Sequence, residues 1–251
     1  MTGSLPVKEC QQILRDTAAV VQQSRPSVAD SDVVGVVVAR VIDRAANLFE
    51  GVYLLLEDGQ SENAFVLARP LFEESVWLLE VSDSDESTRL AYALGWWHEG
   101  AKKKLELYQQ TLMYDPRAAT ETPRLTETEM QRIQGLAREY GATILKPPKT
   151  KPLAEKHGLM VDFTKYLLAH QFVHGSLVAA QVRTSVHERN DNETLVTIGA
   201  ASPVIWCEDA LFSCRYVLRA TKAACNILGK APNSQISVLE SRLAVADDEN
   251  T

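Results

Sequence analysis

Two histidines stand at i and i+4 in FTKYLLAHQFVHGSLVAAQ, the stretch from Phe163 to Gln181. On a helix this spacing lets the imidazoles of His170 and His174 reach one metal ion. Either ring could also carry a proton near neutral pH. Phe163, Tyr166, Leu167, His170, His174, Leu177, Val178 and Gln181 recur three or four residues apart, which predicts one helix with both histidines on its apolar stripe. A histidine there must hydrogen-bond, ligate a metal or stay neutral, because unpaired burial is costly. HQFVH lacks the Glu of an HExxH zinc site, so further ligands would have to come from Glu50, Glu73 or Glu74 on other helices. Packing histidines are the plainer reading.

A second constellation lies in ENAFVLARPLFEESVWLLEV. Arg69 and Glu73 are also at i and i+4, so they can pair. Phe65, Leu67, Leu71, Phe72, Val76 and Trp77 surround them, and a charge in that setting needs a partner. Glu80 continues the same face. A cluster of Arg69, Glu73 and His174, with His170 beside it, would satisfy all of these groups in one place. It would be either a clamp between two helices or the floor of a polar pocket.

Other chemistries find little support. There is no phosphate loop or dinucleotide fingerprint, and Ser176 and Ser213 have no nucleophile-elbow context. Helical HEPN ribonucleases use an arginine followed by a histidine after four to six residues. No arginine here fits; Arg183 and His187 are separated by three. Cys207, Cys214 and Cys225 fall on nearly one helix face, but seven residues of helix rise about 10 Å, too far for a shared zinc or a disulfide. They read as buried, reduced packing residues. Trp77, Trp96, Trp97 and Trp206 read as core. Trp96 and Trp97 cannot both face one core, so one of them marks a second packing surface such as a homodimer contact.

The hairpin NLFEGVYLLLEDGQSENAFVLARPLFEESVWLLE and the segment FTKYLLAHQFVHGSL together resemble an uncharacterised bacterial family, domain of unknown function 5677. The resemblance runs from about Val33 to Leu228. It is carried by an Arg-x-x-x-Glu element and a His-Gly element, which fall on Arg69, Glu73, His174 and Gly175. It implies an all-helical fold and no particular activity.

The elements that must hold these residues follow from periodicity and caps. A first helix covers Val7 to Ser24. A second, capped by Ser31 or Asp32, runs to Asp58-Gly59, and Ser61 caps a third that should kink at Pro70. The short connection predicts an antiparallel hairpin at the centre of the fold. A fourth helix spans Asp85 to Tyr114, and 115–125 reads as a polar loop. Thr126 and Glu129 form a capping box for a fifth helix. Lys146 to Pro152 is a hinge or linker candidate, followed by a short helix over Pro152 to His157. After the histidine helix, 184–201 reads as irregular, with at most a short strand in ETLVTIG. Ser202-Pro203 opens the last main helix, which ends at Gly229.

The expected fold is therefore an all-α, single-domain bundle of about seven main helices over 1–230, with a polar, flexible tail over 231–251 that carries at most a little helix around Val238 to Val245. The 251 residues are 45% hydrophobic, enough for a large core. The net charge of -7 argues against nucleic-acid partners, and the basic run Lys102, Lys103 and Lys104 reads as a solvated face. No signal peptide or membrane span is visible, and four cysteines without one point to the reducing cytoplasm. No cofactor is implied. The leading functional reading is a cytoplasmic protein that binds a small molecule or another protein at the Arg69, Glu73 and His174 pocket. The alternative is a metal-dependent or acid–base enzyme using the same pocket with His170; a HEPN-like ribonuclease ranks third.

Overall fold

A computed structural model of the chain describes residues 7–29, 31–114, 121–173, 184–189, 193–198 and 203–248. The fold is all-α with one small hairpin. Its elements are α1 (Val7–Gln23), α2 (Val33–Glu57), α3 (Ser61–Asp83), α4 (Glu86–Tyr114), α5 (Glu121–Glu139), α6 (Thr150–Lys156), α7 (Met160–Val173), β1 (Thr184–Arg189), β2 (Glu193–Ile198), α8 (Pro203–Ile227) and α9 (Ser234–Asp248).

The hub is α3. Leu71, Phe72, Val76, Trp77 and Leu78 are buried on several sides of it, the signature of a helix enclosed by others. It packs chiefly against α8 and α2, with α7, α6 and the start of α4 on its remaining sides. Phe72 meets Tyr216 of α8 edge-on, with centroids 4.9 Å apart, and Tyr216 in turn meets Phe212 at 4.2 Å. Burying each such ring contributes about 2 kcal/mol or more. The helix runs through Pro70 unbroken.

The α2–α3 hairpin forms as its turn chemistry requires. The Asp32 side chain accepts from the Gly35 amide and starts α2. At the other end Gly59 adopts φ 73°. That left-handed residue lets the Gly59 and Gln60 amides return to the Leu56 and Leu55 carbonyls. Gln60, rather than Ser61, is the residue before α3.

Several expectations are corrected. Thr126 is no helix start: α5 begins at Glu121, and Thr126 is buried within it. Glu129 instead accepts from the Trp97 indole at 2.6 Å. The linker expected over 146–152 ends at Lys149, since α6 begins at Thr150, and just before it the Leu145 amide donates to the Ala91 carbonyl at 3.2 Å. Leu145's own carbonyl occupies the space a Cβ on Gly95 would need, so only glycine admits this approach. The little helix expected around Val238 to Val245 is the longer α9, which docks rather than staying flexible: it buries Ile236, Leu239 and Leu243 and pairs Arg242 with Asp16 of α1 at 2.6 Å. Three apolar residues at helical spacing gain more by docking than by staying solvated.

The irregular 184–201 region contains β1 and β2, paired antiparallel from Thr184 opposite Ile198 to Arg189 opposite Glu193. Thr, Val and Ile supply the β propensity, and a polar composition hid the first strand. Lys102, Lys103 and Lys104 are exposed as expected. Trp96 and Trp97 do face different ways, but both find partners within the chain. Trp96 lies 6.2 Å from Trp77 of α3, whereas Trp97 packs towards α2 and α5.

Candidate functional site

Arg69 and Glu73 lie one turn apart on α3 where that helix meets α7. Their side chains approach to 3.6 Å, as their spacing predicts. The stronger bond of Glu73 goes elsewhere: the Tyr166 hydroxyl of α7 donates to it at 2.8 Å. The Arg69 guanidinium lies 5.3 Å from the centre of the Tyr166 ring, a cation–π distance. Phe163 stacks on the same ring, with centroids 5.2 Å apart and planes 20° apart. Burial, and then the Glu73 carboxylate, push the Tyr166 phenol above its ordinary range. Arg69 Nε is buried without an acceptor among the described residues.

Tyr166 is therefore held at its hydroxyl by Glu73 and at its ring by Arg69, Phe163 and Phe72, whose ring centroid lies 5.6 Å away. The same ring forms one wall of a surface groove of about 360 Å³ between α6 and α7. Phe163 and Leu167 complete the apolar side, and Lys149, Thr150 and Lys151 form the other. Leu167 is 46% exposed, and Lys149 has no carboxylate partner among the described residues. Lys151 faces Glu155 at 3.8 Å, across side chains that are both mostly in water.

Two further polar nodes lie on α3. Glu80 is buried and accepts from Lys156 at 2.6 Å, with His157 Nε2 at 3.3 Å and the Tyr92 hydroxyl at 3.5 Å. The other ring nitrogen of His157 lies 3.6 Å from Asp83. This node joins α3 to α4 and α6 and satisfies its central carboxylate, which makes it a clamp. Glu74 is the second. It is buried beside Arg44 of α2 at 2.9 Å, and burial raises its carboxyl to about 7.

A larger cavity of about 660 Å³ opens between the starts of α2 and α4 and the 140–145 segment. It holds none of the candidate site residues Arg69, Glu73, His170 or His174, and its Asp32 is committed to capping α2.

Of the expected pocket, the structure joins Arg69 to Glu73. His174 and Gly175 lie outside the described residues. His170 falls within α7, but its side chain also lies outside the description. Glu73 and Glu74 point to different partners, and Glu50 is exposed. Among the described residues, no group of three or more His, Cys, Asp or Glu side chains could hold a metal. Tyr166 is the member that sequence reasoning missed. It stood on the same stripe as His170, but its ring disguised it as core.

All four cysteines are free and buried. No helix among the described residues is long and apolar enough to cross a membrane. Neither a curated protein nor a solved structure matches the chain. A family model does match, over residues 36–193, which takes in the α2–α3 hairpin and α7 but stops short of α8. The chain belongs to that family, a family of unknown function (DUF5677).

Proposed function

We propose that the chain is a cytoplasmic binding module that takes a ligand in the groove between α6 and α7. The observation behind this reading is the fixation of Tyr166. Glu73 holds its hydroxyl, Arg69 and Phe163 lie against its ring, and the groove opens beside Leu167. A preorganised aromatic wall lowers the ordering cost of binding. Arg69 and Glu73 then work behind the wall rather than on the ligand. The four reduced thiols fit a cytoplasmic setting.

The enzyme alternative needs His170 and His174, and only their spacing supports it. The ribonuclease reading has neither its motif nor a favourable net charge.

Soaking crystals with phenol, isopropanol and acetate tests the binding reading directly. The probes should gather between Phe163, Tyr166 and Leu167. Clustering only in the larger cavity beside Asp32 would refute it.

A further inference from the structure

The groove carries a charge opposite in sign to that of the chain as a whole. The whole molecule carries -7, yet Lys146, Lys149, Lys151 and Lys156 fall within eleven residues that contain one acid, Glu155. Lys156 is taken by Glu80, and Lys151 is loosely matched by Glu155. Lys149 on the groove wall has no acidic partner among the described residues, and Lys146 is exposed just before it. Opposite these ammonium groups stand the stacked Phe163 and Tyr166 rings and the exposed Leu167.

Building on the binding reading above, we propose that the ligand is a small aromatic carboxylate. Its ring would lie against Tyr166 and Leu167, and its carboxylate would meet Lys149 and Lys151. The volume of about 360 Å³ suits one fused-ring acid, at the small end of ligand sites. A purely apolar ligand would leave the lysines unused. A bare anion would leave the apolar wall wet and gain only what exposed charges give. Glu73 does not repel the carboxylate strongly, because Tyr166 and Arg69 already engage it.

The test compares 2-naphthoate with its neutral isostere 2-naphthamide, by calorimetry and by shifts of Leu167 methyl resonances. The naphthoate should bind about fivefold more tightly at low salt, and the advantage should shrink as salt rises. In a Lys149→Gln, Lys151→Gln double variant the two compounds should bind alike. Both lysines are exposed, so the variant keeps its fold, and its melting temperature verifies this. Equal binding of acid and amide to the unaltered chain, with Leu167 shifting for both, would overturn the carboxylate class and leave the groove standing. Failure of both compounds to move Leu167 would overturn the groove and the carboxylate together.

Discussion

Tyr166 donates its hydroxyl to Glu73 at 2.8 Å, joining α7 to α3 across 93 positions of the chain. The contact is half-buried, and its acceptor is a carboxylate. Tyr166→Phe keeps the stacked ring and deletes only this bond. It should lower stability by about 1 to 2 kcal/mol, measured by urea denaturation. A change below a few tenths would mean that water replaces the bond at no loss.

Glu80 collects Lys156, His157 and Tyr92 around one buried carboxylate. Glu80→Ala strands the mostly buried His157 with Asp83 as its remaining acid, whereas Lys156, 53% exposed, returns to water. The loss should be about 2 kcal/mol, with α6 exchanging its amide hydrogens faster. Uniform exchange across the bundle would argue against a local clamp.

Burial holds the Glu74 carboxyl at about 7, against an ordinary 4.5. Arg44 pulls the other way but is 55% exposed, so water screens it and desolvation wins. Between those two values the folded chain keeps a proton that the unfolded chain has lost. Stability should therefore fall as pH rises from 4.5 to about 7 and then level off. The drop is on the order of 3 kcal/mol. Glu74→Gln should flatten that part of the profile, read as melting temperature against pH; an unchanged slope would assign the effect to other groups.

Gly95→Ala places a methyl group where the Leu145 carbonyl sits. The clash involves backbone, which cannot swing aside like a side-chain tip. The variant should lose about 2 kcal/mol and free the 140–149 segment for proteolysis. A Gly95→Ala variant as protease-resistant at that segment as the unaltered chain would count against the contact.

The helical plan was legible because apolar stripes, Asp32 and Gly59 act locally. Arg69 and Glu73 were legible for the same reason, being one turn apart on one helix. Tyr166 was not, because its role depends on how α7 lies against α3, and a tyrosine on an apolar stripe looks like core until its hydroxyl is located. Glu80's partners were hidden similarly: Lys156 and His157 are 76 and 77 positions away, in a stretch that read as linker and short helix. Thr126 and Glu129 misled in the opposite sense. Their spacing satisfies a capping box, but the chain was already helical from Glu121, and Glu129 was needed by Trp97.

The covering of α1 has a consequence for biosynthesis. α1 packs chiefly against α8 and α9, with α2 a smaller neighbour, and its Cys10 and Thr17 meet Cys207 and Cys214 of α8, so most of its cover does not exist until Pro203 and beyond have been translated. At ribosomal speeds of about 5 to 20 residues per second, that apolar face waits on the order of 10 to 40 s after it emerges. During that interval it is a ready target for a chaperone, and a stall before α8 would leave a nascent chain prone to clump.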